Sequence, residues 1–179
     1  MVVIITGASH TGKTLLSQRL LESIKFPYLS IDHLKMGLIR SRNTNLTPYD
    51  DDKLVPYLWG IVKEIIKTAV ENRQNLIVEG SYVPIGWKDS FSEEYLKNIR
   101  CFCLVMSEEY IDGHFEDITA HSCEIERRID DSGCTKEFLK AENKRYADFC
   151  GFCSCRYYEI NEKYDIDEIV QSVLSLIDC

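Results

Sequence analysis

Eight residues near the start of the chain have the types and the spacing of a phosphate-binding loop. Residues 7–14 read Gly-Ala-Ser-His-Thr-Gly-Lys-Thr, which fits the pattern G-x-x-x-x-G-K-[ST]. In such a loop the backbone amides donate to phosphate oxygens, the lysine reaches the β- and γ-phosphates, and the last hydroxyl binds Mg²⁺. We therefore predict that a Mg²⁺-nucleoside triphosphate binds to Gly7, Ala8, Ser9, His10, Thr11, Gly12, Lys13 and Thr14, with Thr14 as a metal ligand.

The segments on both sides of this loop are those that the chemistry requires. Residues 2–5 are Val-Val-Ile-Ile, a continuous β-branched run of the kind found in strands covered on both faces. After the loop, apolar residues recur at helical spacing from residue 13 to about residue 24. A strand, a Gly-rich turn and a helix that points its N-terminus at phosphate together favour a nucleotide site over a chance match.

Two acidic residues lie at the carboxyl ends of the next two predicted strands, which are residues 28–31 and 75–79. Asp32 follows the first, and Glu79 ends the second and precedes Gly80. Ligands bind beyond the carboxyl ends of strands in open parallel sheets, so both acids should face the crevice of Lys13. Asp32 could accept a proton from a substrate hydroxyl, or it could only cap the next helix. Glu79 could orient Mg²⁺ through water or merely face solvent, while Gly80 would let the backbone turn close to substrate.

The remaining segments predict alternating strands and helices, and hence a parallel sheet. Further strands are expected at residues 99–106 and 156–160, and a last helix should end near Ile177. A long helix is expected from about 53 to 73, with a start signal at Thr47-Pro48 and a break or kink at Pro56. The charge-rich stretch at about 118–143 is a candidate lid over the triphosphate, the alternative being a solvated helical hairpin.

Composition limits the classes of function. The 179 residues suit a single domain over 1–179, and the formal net charge of −8 argues against nucleic-acid and anionic-membrane partners. The start of the chain has no basic leader, and no apolar run approaches the ~20 residues of a membrane span. We expect a cytoplasmic protein, monomeric or homodimeric, that acts on a small molecule.

Eight cysteines raise the question of a metal site. Cys150, Cys153 and Cys155 are closely spaced, and Cys134, Cys123 or His121 could supply a fourth ligand. A structural zinc site usually has two paired ligand clusters, and only one is visible here. Free thiols packed as small apolar residues are therefore favoured over a metal site.

The loop, Asp32, the Glu79-Gly80 pair and the basic lid candidate together resemble the P-loop kinases of the nucleoside-monophosphate-kinase-like group. That group includes adenylate kinase, shikimate kinase, chloramphenicol phosphotransferase and zeta-toxin-type kinases. Residues 30–41 look most like small bacterial 2-phosphoglycerate-kinase-like, ATP-binding proteins. The resemblance implies an α/β P-loop NTPase fold, a three-layer sandwich whose five-stranded parallel sheet has the order 2-3-1-4-5, with a helical lid.

The resemblance also implies roles for individual residues. It implies ATP- and Mg²⁺-dependent transfer of the γ-phosphoryl group to an acceptor hydroxyl, with Lys13 and Asp32 as catalytic residues. A lid arginine, Arg127 or Arg128, would stabilise the transferring group or bind the triphosphate. Lys144 and Arg145 are further candidates for that cation, or ordinary residues of a solvated helix.

The acceptor itself stays open. Glu79-Gly80-Ser81 replaces the Gly-rich triplet of shikimate kinases, so shikimate is disfavoured as the acceptor. Asp32-His33 replaces the Thr-Gly of typical adenylate kinases, so a nucleoside monophosphate is not the first choice. Arg40 or Arg42 could anchor a carboxylate or phosphate, and Tyr82 and Trp87 could stack on a ring or belong to the core. A nucleoside or nucleoside-monophosphate kinase is the first alternative. A nucleotide-dependent binding or regulatory module with little turnover is the second. The sequence shows no motif that selects adenine or guanine.

Overall fold

A five-stranded parallel sheet forms the centre of the protein, which we describe from a computed structural model for residues 1–120, 134–153 and 155–177. The order along the sheet is β2-β3-β1-β4-β5, as predicted. The strands are β1 (Val2–Gly7), β2 (Tyr28–Ser30), β3 (Leu76–Glu79), β4 (Ile99–Met106) and β5 (Arg156–Ile160). The helices are α1 (Lys13–Ile24), α2 (Ile31–Arg40), α3 (Asp51–Glu71), α4 (Glu93–Leu96), α5 (Glu108–Ala120), α6 (Lys136–Cys153) and α7 (Ile166–Ile177), with a 3₁₀ helix at Trp87–Ser90.

The central strand β1 determines the layering. All six of its residues are buried, and it pairs with β3 on one side and β4 on the other. Val2 and Ile4 face a core built with α3 and α6, whereas Val3 and Ile5 face a second core built with α1, α5 and α7. Helices therefore cover both faces of the sheet, which confirms the predicted three-layer sandwich and explains the unbroken apolar run.

The long helix before β3 differs from its prediction. α3 is one helix over Asp51–Glu71 with Pro56 inside it, so the expected break at Pro56 is wrong. The start signal at Thr47 is also wrong, because the Thr47 N–H and Oγ both donate to the Asp50 carboxylate, at 2.8 and 2.7 Å. Thr47 thus closes a turn onto Asp50, and the helix begins after Asp50. Burial of Leu54, Leu58 and further residues along one face of α3 outweighs the single backbone bond lost at proline.

The stretch proposed as a lid falls largely outside the described residues, which end at 120 and resume at 134. Its two ends belong to the core rather than to a solvated surface. Ile118 is buried in α5, and Leu139 and Asn143 are buried in α6. The Asn143 Oδ1 accepts from the Met106 N–H at 2.7 Å, which ties α6 to the end of β4. The lid itself stays a prediction.

No helix in the described ranges is both long and apolar enough to cross a membrane.

Gly7 is the point at which the sheet restricts the sequence most tightly. Its φ is 141°, and a Cβ there would collide with the backbone carbonyl of Leu104, its partner in β4. We predict that Gly7→Ala lowers the free energy of unfolding by about 3 kcal/mol, measured by urea denaturation. Gly60→Ala is the matched control, since Gly60 lies in α3 with open space around it. It should raise stability by about 0.5–1 kcal/mol, and an equal loss in both variants would contradict the steric argument.

Candidate active site

The phosphate-binding loop joins β1 to α1 and contains three residues with positive φ. Gly7, His10 and Gly12 have φ of 141°, 65° and 82°. The Thr11 hydroxyl and the Lys13 ammonium both donate to the Ala8 carbonyl, at 2.8 and 2.7 Å. These two bonds close the loop onto the Ala8 carbonyl. They hold Lys13 at the start of α1, where its side chain is largely buried.

The N-terminus of α1 suits an anion. The N-cap residue is Gly12, which has no side chain to satisfy the first amides of the helix. A phosphate can accept from those amides and is also favoured by the positive end of the helix dipole. Gly12 has a second reason to lack a side chain, because a Cβ there would collide with the hydroxyl of Tyr164. Tyr164, in the segment between β5 and α7, was missed by the sequence analysis, since only the folded chain brings it to the loop.

Asp32 lies at the same edge of the sheet as the loop, in the helix that follows β2. β2 ends at Ser30, and Asp32 lies in the first turn of α2. Ser30 is the N-cap residue, and its side chain accepts from the His33 N–H at 3.4 Å. The alternative that Asp32 caps the helix is therefore wrong. Its Oδ1 instead lies 2.7 Å from the Lys35 ammonium, one turn along α2.

Lys35 connects Asp32 to a tyrosine from another element. The Lys35 ammonium donates to the Tyr82 hydroxyl at 2.8 Å and lies 4.8 Å from the centre of its ring. The Tyr82 hydroxyl in turn donates to Asp51 Oδ1 at 3.0 Å. Burial, and then the charges of Asp32 and Asp51, raise the pKa of Tyr82 far above its ordinary value, so the phenol stays protonated. We call this group, Asp32, Lys35, Tyr82 and Asp51, the acceptor network.

Of the four members of the acceptor network, Asp32 was predicted at this site, and Tyr82 was predicted either to stack on a ring or to belong to the core. Lys35 joins these two residues, whereas no sequence pattern singled out Asp51. Nothing in the local pattern distinguishes Asp51 from Asp50 and Asp52. Its position one residue into α3 is what aligns it with Tyr82.

The end of β3 is tied to the loop. The Ser81 Oγ donates to the Gly7 carbonyl at 3.3 Å, and the Tyr146 hydroxyl of α6 donates to the Ser81 carbonyl at 2.7 Å. Gly80 lies against Ile31, the first residue of α2; a Cβ at Gly80 would be 2.9 Å from the Ile31 Cβ. Loop, acceptor network and α6 therefore meet at the carboxyl ends of β1, β2 and β3.

Glu142 is a further residue that sequence reasoning missed. It lies in α6, and its carboxylate accepts from the Ser9 N–H at 2.9 Å and from the Ser9 Oγ at 3.3 Å. Its side chain is 11% exposed, and the Arg145 guanidinium approaches to 3.9 Å. Arg145, one of the further candidate cations, thus approaches Glu142 and also lies over the ring of Tyr146, 5.3 Å from its centre.

Thr14 and Glu79 are suitable ligands for Mg²⁺. Thr14 stands in the first turn of α1, and Glu79 is buried at the end of β3 beside β1, with Ile5 as its partner in register. Hydroxyl and carboxylate oxygens are the hard donors that Mg²⁺ prefers, and this ion usually keeps several waters and phosphate ligands. In the described ranges no three His, Cys, Asp or Glu side chains converge as a metal site, and Mg²⁺ held through one or two protein oxygens does not need such a group.

Other predicted site residues lie elsewhere. Arg40 and Arg42 are exposed, at the end of α2 and just after it, and Arg40 is about 12 Å along the helix from Asp32. Trp87 is buried in the core beside Phe91, so it does not stack on a ligand. Arg127 and Arg128 lie outside the described residues. The roles assigned to these arginines stay predictions.

Five cysteines lie together in the core around β4. Cys101 and Cys103 of β4 and Cys150 and Cys153 of α6 are buried, together with Cys155. All five belong to the apolar core on the α3 and α6 side of the sheet and are free thiols. Burial raises the pKa of the Cys153 thiol, which makes it a poor nucleophile or metal ligand.

Comparison with solved structures places this geometry in a known fold. A gluconokinase from Sinorhizobium meliloti 1021 superposes with a TM-score of 0.58 at 15% identity, covering 99% of this chain and 91% of that one. A shikimate kinase from Bacteroides thetaiotaomicron gives 0.59 at 14% identity, covering 100% and 99%. A sugar kinase from Janibacter sp. HTCC2649 gives 0.57 at 13% identity, covering 99% and 94%. This chain has the fold of the P-loop kinases. No protein-family model and no curated relative matches the sequence.

The Lys13 ammonium should contribute to the free energy of nucleotide binding through its contact with the bound phosphates. We predict that Lys13→Ala weakens binding of an ATP analogue by about 10- to 100-fold, as expected for one lost charge-assisted contact. Isothermal titration calorimetry measures this directly. Lys97→Ala is the control, because Lys97 is exposed just before β4, at the opposite edge of the sheet. Unchanged affinity in Lys13→Ala would refute the nucleotide site.

Proposed function

We propose that this protein is an ATP- and Mg²⁺-dependent kinase that transfers the γ-phosphoryl group to a hydroxyl of a small acceptor. The observation that carries the proposal is that the loop and the acceptor network lie at the same edge of the sheet. An anion-binding loop alone would fit a hydrolase or a switch equally well. A phosphotransferase also needs a group that positions the acceptor hydroxyl, and an acid at the same edge of the sheet as the loop can do this.

The nucleotide half of the site consists of residues 7–14. The loop amides and the N-terminus of α1 would hold the phosphates, and Lys13 would neutralise charge on the β- and γ-phosphates. For this Lys13 must leave the Ala8 carbonyl, to which it donates now. A long flexible side chain can make that exchange without moving the backbone.

The acceptor half is centred on Asp32. Its carboxylate would accept a hydrogen bond from the acceptor hydroxyl and take its proton as the bond to phosphorus forms. Lys35 holds the carboxylate in place through the 2.7 Å contact, and Tyr82 and Asp51 hold Lys35. Lys35, Tyr82 and Asp51 are therefore positioning residues, and Asp32 is the proposed catalytic residue.

Charge compensation would come from three sources. Mg²⁺ bound through Thr14, with Glu79 orienting its waters, would supply electrostatic stabilisation of the phosphoryl oxygens. Lys13 adds a second positive charge. The third source would be the lid, where Arg127 would stabilise the transferring group and Arg128 would bind the triphosphate. A cation is needed there because charge spreads over the oxygens of the transferring group. This part of the proposal rests on the sequence alone.

The structural neighbours support the class of acceptor only broadly. Proteins of this fold include those named gluconokinase, sugar kinase and shikimate kinase, which are named for small acceptors. The acidic composition supports a small molecule rather than a nucleic acid or a membrane as partner, and we propose a cytoplasmic location.

The proposed role of Asp32 predicts that its substitution slows phosphoryl transfer but leaves nucleotide binding unchanged. Asp32→Asn keeps the shape of the side chain but removes the base, so transfer should fall by about 10²- to 10⁴-fold. Binding of an ATP analogue should stay within about twofold of wild type. Asp52→Asn is the matched control, because Asp52 is an exposed acid next to Asp51. Full activity of Asp32→Asn would remove Asp32 from the mechanism.

The acceptor can be found by a direct screen. The protein is incubated with ATP, Mg²⁺ and a library of hydroxylated metabolites, and products are detected by their gain of one phosphoryl group in mass. Nucleosides and nucleoside monophosphates belong in the same library, because phosphorylation of those alone would establish the first alternative. Tight ATP binding with transfer to no acceptor would instead indicate a regulatory module.

A further inference from the structure

Glu142 puts a negative charge where the loop is built to hold one. Both of its carboxylate oxygens bind Ser9, through the backbone N–H at 2.9 Å and the hydroxyl at 3.3 Å. Ser9 is the third residue of the loop, and its N–H is one of the loop amides. A carboxylate is thus satisfied by the same kind of donor that serves a phosphate oxygen.

Arg145 compensates the charge of Glu142 only weakly. Among ion pairs of the described residues, Glu142 has Arg145 at 3.9 Å, and the Arg145 side chain is 71% exposed, so solvent screens the pair. The charge reaches further into the site. Burial and then Glu142 raise the pKa of Tyr146 to about 12, and Glu142 also contributes to the raised pKa of Tyr82. A phosphate arriving at the Ser9 N–H would therefore meet the Glu142 carboxylate that is already bound there.

The position of Glu142 identifies which phosphate that is. Glu142 is bound to the loop at Ser9, and Tyr146, one turn further along α6, donates to the Ser81 carbonyl, next to Tyr82 of the acceptor network. Glu142 therefore lies on the side of the loop that faces the acceptor network. The terminal phosphate must face the acceptor in a transfer reaction, whereas the α- and β-phosphates lie further back along the loop and α1.

We propose that Glu142 is a specificity-determining residue that opposes the terminal phosphate, holding the Ser9 end of the loop when that phosphate is absent and weakening triphosphate binding relative to diphosphate. The inference rests on the nucleotide site of the proposed function. Glu142 returns to Ser9 once the γ-phosphoryl group has been transferred, so the empty and the diphosphate states share one arrangement of α6. The residue thereby limits the affinity for ATP and reduces the preference for ATP over ADP.

Calorimetry with two nucleotides tests this. Affinities for a non-hydrolysable ATP analogue and for ADP, each with Mg²⁺, are measured for wild type and for Glu142→Gln. Glutamine keeps the shape and can still accept from the Ser9 N–H, but it carries no charge. We expect the ATP analogue to bind about tenfold more tightly, from the lost repulsion between two nearby charges, and ADP to change by less than about twofold.

Two further variants separate this contact from general effects. Glu137→Gln removes the same charge from an exposed position on α6 and should leave both affinities unchanged. Ser9→Ala removes only the hydroxyl contact and should tighten binding of the ATP analogue by about twofold. Thermal unfolding of each variant checks that the fold is intact.

The outcomes distinguish the two proposals. Equal tightening of both nucleotides, the same effect in Glu137→Gln, or weaker binding of the ATP analogue in Glu142→Gln would overturn the role of Glu142 while leaving the kinase assignment standing. Wild-type protein that binds neither nucleotide would overturn both.

Discussion

The contact between Gly7 and Leu104 is the constraint on which the rest of the site depends. β1 stays paired to β4 until its last residue, and the backbone there passes so close to the Leu104 carbonyl that no side chain fits. The chain leaves the sheet at that point and immediately turns into the loop. The same Gly7 accepts from Ser81, which in turn accepts from Tyr146. The end of β3 and the helix α6 are thus positioned by the loop that they help to hold.

Each half of the site is held together by hydrogen bonds between residues that are far apart in the sequence. Lys35 and Tyr82 are 47 positions apart, and Ser9 and Glu142 are 133 apart. Such pairs form because the sheet brings the carboxyl ends of its strands to one edge. Apolar burial on both sheet faces supplies the free energy that holds these polar groups together. The polar groups then determine which arrangement of the buried helices is adopted.

Sequence patterns were sufficient where chemistry or periodicity is local. The loop at 7–14, helix α1 and strands β4 and β5 were predicted from contiguous residues, and the structure contains them. Pro56 shows the limit of such rules, because a long buried stripe keeps α3 continuous through a residue that normally ends a helix. Asp51, Glu142 and Tyr164 show another limit. Each is an ordinary polar residue in its own segment, and only the tertiary fold brings it to the site.

The short edge strand β2 gives the two halves of the site different stiffness. The loop is attached to the central strand, which is hydrogen-bonded on both sides over nearly its whole length. The helix that carries Asp32 and Lys35 is attached through only three strand residues, paired on one side with β3 alone. A segment held by few backbone bonds at a sheet edge has a low free energy of local opening. The part of the site carried by α2 is therefore more easily deformed, whereas the loop at the end of β1 is more rigid.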